Sequence, residues 1–270
     1  MELFQYDYMI RAMIVGLVLS IVIPAMGVVI VNRRLAMIGD ALSHVSLAGV
    51  MLGLLLGINP ILGAVLTCAA AALSMEWIRR RFPSYGEIST AVIMSTGVGM
   101  ASILSGFVKG GANFESFLFG TIVAITDFEF YMILAVSLAV VVFLVINYRK
   151  LLYLSFDGIS ARLAGIRADR LSGLFVLLTG LTVAISARTV GVLIISSLLV
   201  LPVSCALQLK LSYKKTHVAA ILFGIFFTEA GLALSYYLGL KPGGSIVMLG
   251  VVTLIILMAK RQVAGAEKQG

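Results

Sequence analysis

Charge is what this sequence has least of. Only 12% of its 270 residues are charged, as 20 Lys plus Arg against 12 Asp plus Glu, a net +8. Soluble domains carry about 25% charge and about 45–50% apolar residues. Here 61% of residues are hydrophobic, and a chain of this size cannot keep that much apolar surface from water. A cytosolic enzyme and a disordered regulator are excluded. The only two cysteines, Cys68 and Cys205, lie inside apolar runs. They exclude a secreted disulfide scaffold and read as small packed hydrophobes rather than a redox pair or metal clip. Also missing is a P-loop, a G-x-x-x-x-G-K run ending in Ser or Thr. There is no H-E-x-x-H zinc motif and no G-x-S-x-G nucleophile turn. The chain has no ATPase site of its own, so work done by it draws on an ion gradient or a partner subunit.

What is present is a series of long apolar runs without strand-like alternation. Only helices and closed barrels satisfy their backbones in a bilayer, and a crossing helix needs about 20 apolar residues. Spans are predicted near 9–31, 38–57, 60–78, 87–107, 128–147, 171–187, 190–209, 217–239 and 245–259. The fold class is all-α, a polytopic membrane protein with about 8–9 transmembrane helices. The first run is too long for a signal peptide and lacks the basic head and small-residue cleavage site.

The basic residues set the orientation. With the N-terminus outside, 16 of the 20 fall in cytoplasmic segments, leaving Arg11, Lys109, Arg188 and Lys241 on the other side. This is the positive-inside pattern, with the C-terminus in the cytoplasm. Topology and anionic headgroups account for the +8, so a nucleic-acid partner is not needed.

Two segments are not plain crossings. Residues 111–126 hold a short apolar run between glycines, which suits a re-entrant or interfacial helix. In 151–170, Phe156, Ile159, Leu163 and Ile166 recur at helical spacing. That predicts a short amphipathic helix capped near Ser155, serving either as a membrane-surface anchor or as a docking element. Ser84 with Glu87 and Thr126 with Glu129 have capping-box spacing. Glu76 precedes Arg79–Arg81 at ion-pairing distance along a helix. Gly49, Gly53 and Gly57 form a small-residue ladder that Gly106 and Gly110 repeat. Pro24 and Pro202 are expected to kink or break their spans.

Three ionisable groups inside spans have no such explanation: Asp40, His44 and Glu229. Intramembrane charge costs about 2.5–3.5 kcal/mol even on insertion scales, so such groups usually face a polar route. Asp40 and His44, four residues apart, share one helix face and can hold a divalent cation, with Glu229 as a third ligand. Imidazole suits zinc, iron, nickel and copper, and carboxylate suits manganese. The same pair also suits proton relay, a mutual hydrogen bond, or a snorkelling ion pair from Asp40 to Arg33 or Arg34. His217, following Lys214 and Lys215, reads as interfacial. Met94 and Met100 read as packing residues before they read as soft metal ligands.

The sequence resembles the permease subunits of bacterial and archaeal ABC importers for zinc, manganese and iron(II). The resemblance spans nearly the whole chain: VNRRLAMIGDALSHVSLAGV (31–50), FLFGTIVAIT (117–126), the stretch from Phe156-Asp157 to Gly165-Ile166, VGVLIISSLLVLPVSCAL (190–207) and KPGGSIVML (241–249). It implies an ABC-importer permease fold, with 1–270 as one permease domain and 151–170 as a cytoplasmic coupling segment. The implied partners are a second copy of the chain, two cytoplasmic ATP-binding-cassette subunits carrying the ATP, and an extracytoplasmic metal-binding protein. The implied metal path runs by Asp40 and His44, with Glu229 matching an acidic position. Phe156, Asp157, Ala161, Gly165 and Ile166 match the coupling segment. No cofactor of the chain itself is implied; the divalent ion is cargo. Two rivals remain: a permease for a metal chelate, whose path an Asp and a His would not suit, and a metal-dependent intramembrane enzyme, for which no nucleophile is present.

Overall fold

The computed structural model describes residues 7–82, 86–108, 125–156, 161, 163 and 165–266. Among these there are ten helices and no strand: α1 Asp7–Asn32, α2 Ile38–Leu55, α3 Pro60–Arg81, α4 Gly86–Ser105, α5 Asp127–Ile146, α6 Tyr148–Phe156, α7 Ala168–Thr189, α8 Val192–Gln208, α9 Tyr213–Leu238 and α10 Pro242–Ala266. All nine apolar runs are therefore helical. Eight are long and apolar enough to cross a membrane. The exception is α8, whose 17 residues reach about 25 Å at 1.5 Å per residue, short of a bilayer core of about 30 Å. Its core-facing residues Ile194, Ile195, Leu198, Leu199 and Val203 are almost fully buried, so protein rather than lipid surrounds it.

The helices fall into inner and outer sets. In the spans of α1 and α2, 72% of residues are buried, against 22% in α10 and 28% in α4 and α5. One apolar core joins Val22, Met26, Ile30, Ile38, Leu42, Phe175, Val183 and Leu198 from α1, α2, α7 and α8. Lipid tails are as apolar as leucine, so helix association here depends on close packing at small residues. A methyl placed on Gly49 would sit 2.7 Å from the Gly63 carbonyl oxygen and the Ala64 Cα, and one on Gly53 2.9 Å from the Pro60 Cα. The α2–α3 pair thus requires both glycines. Gly57 does not belong to this ladder. It stands in open space just past α2 with φ +68°, and the Ile58 N–H donates to the Gly53 carbonyl. That is a left-handed helix stop. Gly106 likewise makes no close approach, and Gly110 lies outside the described residues.

Both prolines sit within continuous helices. Proline removes the bond to the carbonyl four residues earlier, which for Pro24 is that of Ser20. The α9 helix lies against this site: a methyl on Gly224 would come 2.6 Å from that oxygen and 2.5 Å from the Pro24 ring.

Polar contacts gather at the helix ends. At one end, Arg33 from the α1–α2 turn and Arg79 from α3 both donate to the Ser172 hydroxyl of α7. Arg80 reaches the Asp169 carbonyl. At the other end, Arg11 pairs with Asp127, and Arg188 Nη1 lies 2.6 Å from Glu129 Oε1. Thr126 and Glu129 form the expected reciprocal capping box. Ser84 and the segment 111–124 lie outside the described residues.

The amphipathic helix expected to start near Ser155 falls mostly outside the described residues, of which Ala161 and Leu163 are helical. α6 runs from Tyr148 to Phe156, and the Ser155 hydroxyl donates to the Leu151 carbonyl at 2.8 Å from within the last turn. Ser155 thus belongs to the last turn of α6, which begins directly after α5. Tyr148, Phe156, Tyr213 and His217 pack as one aromatic cluster, with ring centroids 4.5–5.8 Å apart. The cluster ties the end of α6 to the start of α9 and uses His217 as a packing ring.

Candidate metal-transit site

The turn before α2 aims the candidate site. The Leu35 N–H donates to the Ile30 carbonyl and Arg34 N–H to Val31, which places Arg34 in the left-handed region at φ +57°. This closes α1 and restarts the chain as α2 three residues later. No side chain caps α2 at Met37. Asp40 lies in its first turn, where the helix dipole favours a carboxylate.

Three faces of α2 are occupied. The glycine contacts hold α3. Leu199 of α8 packs over Gly39, and α4 crosses where a methyl on Gly97 would lie 2.8 Å from the Val45 nitrogen and 3.0 Å from the His44 carbonyl carbon. The remaining face carries Met37, Asp40 and His44, spaced for one side of a helix. Met37 is exposed, and the Asp40 and His44 side chains are 26% and 24% exposed. Farther along the same face, Ala48 and Met51 are covered by Ala101 and Leu104 of α4. The opening beside Asp40 and His44 therefore ends before Ala48.

Asp40 Oδ1 and His44 Nε2 are 3.9 Å apart. That is too long for a hydrogen bond, so the pair does not simply brace its own turn. It suits a shared cation better: ligand bonds of about 2.1 Å at a tetrahedral angle put two donor atoms about 3.4 Å apart, a small rotamer shift away. Asp40 makes no ion pair with Arg33 or Arg34 among the described residues.

Arg33 is engaged elsewhere, facing Glu76, Arg79 and Ser172. Burial, then the Arg79 charge, push its pKa down to about 10, with Glu76 opposing. It remains charged at neutral pH. Glu76 is 4% exposed and is matched by Arg79 and by Arg80 at 3.1 Å.

The structure separates Glu229 from the pair. α9 packs on α1, α8 and α10 through Gly224, Phe227, Thr228 and Gly231, whereas Glu229 falls with Leu222 and Phe226 on the face turned away from this packing. Among the described residues no three His, Cys, Asp or Glu side chains converge to hold a metal. A three-ligand site within a single chain is therefore not formed by Asp40, His44 and Glu229 as they stand. Met94 packs on the core and Met100 faces outward. Cys68 donates to the Leu42 carbonyl at 3.3 Å and packs α3 on α2, as a small hydrophobe does.

Of the coupling residues, Phe156 is strongly exposed, Ile166 is half-buried, Ala161 is buried, and Gly165 takes φ +75°. Asp157 lies outside the described residues. Sequence reasoning missed the Gly97 crossing that seats α4 at His44. It also missed the pairing of Arg11 and Arg188, although their place on the basic-poor side was a signal that acids would meet them.

A family model described as the ABC 3 transport family matches residues 5–261. This chain belongs to that family. A probable metal transport system membrane protein of Treponema pallidum is 36% identical over 97% of this chain and 99% of its own length. The manganese transport system membrane protein MntC of Listeria monocytogenes is 27% identical over 96% of this chain and 94% of its own length. The high-affinity zinc uptake system membrane protein ZnuB of Haemophilus influenzae is 27% identical over 96% and 99%. Among solved structures, PsaBC from Streptococcus pneumoniae in complex with Fab superposes with a TM-score of 0.83 at 27% identity, covering 94% of this chain and 92% of that one. The ABC-importer permease fold expected from the sequence is thus the fold present.

Proposed function

We propose that this chain is the permease subunit of an ATP-driven importer that moves zinc, manganese or iron(II) into the cytoplasm. The observation that carries the proposal is the open Asp40–His44 pair, two metal-competent donors facing out of a helix whose residues between them and on to Met51 are buried. Relatives named for metal, manganese and zinc transport support the cargo class.

One chain contributes an oxygen and a nitrogen, which is half a coordination shell. A second copy, related by a two-fold axis beside α2, supplies the same pair again. Two carboxylates then balance one divalent ion, and neutral imidazoles complete four donors. Glu229, on its outward α9 face, belongs to the wall of the route or to the contact between copies. Coordination must stay weak enough for the ion to leave, and the imidazoles must be neutral to bind it. An extracytoplasmic binding protein delivers the ion. ATP is hydrolysed on two partner subunits that dock on the segment from Phe156 through Asp157, Ala161, Gly165 and Ile166. The aromatic contact of Phe156 with Tyr213, 5.8 Å between centroids, gives that docking a mechanical path into α9. The N-terminus lies outside and the C-terminus in the cytoplasm.

The testing experiment reconstitutes the assembled complex in liposomes with a panel of divalent ions. ATP-dependent accumulation of a transition metal is expected. Accumulation of a chelate but no free ion, or activity of the lone chain on peptide or lipid, would overturn the proposal.

A further inference from the structure

A cleft of about 490 Å³ opens where α5 ends and α7 begins, within the roughly 300–1,000 Å³ that holds small ligands. Its apolar floor is Phe143, Leu171 and Leu174, and its other side is Lys150, Arg167 and Arg170. All three cations are exposed, and none has a hydrogen-bond or ion-pair partner among the described residues. Among the described residues no carboxylate lines the cleft. Asp169, between two of these arginines in sequence, is engaged elsewhere.

The layout follows the membrane boundary. Phe143 lies in the last turn of the α5 span, and Leu171 and Leu174 in the first turns of the α7 span. Lys150 lies beyond the first span's end, and Arg167 just precedes the second. An apolar floor at the depth of acyl chains thus continues into a cationic wall at the depth of headgroups. A soluble anion needs only the wall, and an acidic protein surface gains nothing from the floor.

We propose that this cleft is a binding site for an anionic phospholipid, its phosphate held by Lys150, Arg167 and Arg170 and one acyl chain laid along Phe143 and Leu174. Basic pockets between spans at the cytoplasmic surface suit such headgroups, and here the placement rests on the orientation proposed above. Gly165 and Ile166 form part of the same cleft, so a bound lipid holds the end of the coupling segment against α5 and α7.

The test uses the assembled permease–ATPase complex in nanodiscs of phosphatidylcholine with and without phosphatidylglycerol, with lipid retention read by native mass spectrometry. No metal or ATP is added, so the result is independent of the transport proposal. The wild type is expected to retain phosphatidylglycerol over phosphatidylcholine. K150Q/R167Q/R170Q should lower that preference about tenfold or more, because all three cations at headgroup depth are removed, and the charge-conserving K150R/R167K/R170K should keep most of it. Unchanged retention in the Gln variant would overturn the site. So would equal protection of the complex by inorganic phosphate, which marks a free-anion site. Loss of the ATPase from the Gln variant in pure phosphatidylcholine would overturn it as well, because the cleft would then be a protein-docking surface. The Lys/Arg-swapped variant keeps the test decisive if the Gln variant does not fold.

Discussion

Two sets of charged side chains sit at helical spacing in this apolar bundle, and their environments differ. Glu76 with Arg79 and Arg80 is closed. The carboxylate is almost fully buried, both its oxygens face guanidinium groups, and the Ser172 hydroxyl joins Arg33 to the set. Asp40 with His44 is open. Its side chains are a quarter exposed, its atoms stand 3.9 Å apart, and among the described residues no other ion pair meets it. Spacing is the same in kind, i to i+4, in both. What separates a structural network from a transit site is whether the shell is complete within the chain. A completed shell holds helices together, and on the proposed function the incomplete one is left for cargo.

That contrast can be broken by mutation. The largest expected effect on stability is Glu76→Ala. Removing one partner of a buried ionic set costs about 3–5 kcal/mol, here discounted toward the lower figure because the Arg80 side chain is 42% exposed. A thermal melt of the purified permease should show a marked fall in midpoint; an unchanged midpoint would make the network ornamental. Next is Gly97→Leu, which cannot fit against the Val45 nitrogen. It should push α4 from α2 and reduce both the melting midpoint and metal uptake, and normal values for both would remove Gly97 from the site's support. Thr126→Ala should cost about 1 kcal/mol by deleting one cap bond, and a denaturation series can resolve it. The smallest is Asp40→Asn. The helix dipole attaches only about 0.3–1 kcal/mol to that carboxylate, so folding should be nearly intact. A loss as large as that from Glu76→Ala would place Asp40 in the structural class.

Much of this was legible in the chain. Low charge made each acid countable, and nine apolar runs became nine helices with ends shifted by a few residues. Cap signals and the Glu76 pairing follow from local spacing, so the sequence carries them. The failures are tertiary. Glu229 is a costly intramembrane acid by sequence, yet nothing local says that α9 turns it away from α2. Gly57 matches a packing ladder by period, but its role depends on where α2 stops. Arg188 and Glu129 lie 59 residues apart in sequence, beyond any helical periodicity.

The central claim is that Asp40 and His44 carry the ion. Its most direct test is ATP-dependent metal uptake in proteoliposomes by the assembled complex carrying Asp40→Asn or His44→Gln, with ATPase assembly and melting midpoint measured on the same preparations. Loss of even supporting groups around metal ligands costs about 10–100-fold, so losing a ligand itself should lower uptake by about 100-fold or more while assembly and midpoint stay near wild type. Uptake at the wild-type rate in both variants, with assembly intact, would contradict the account.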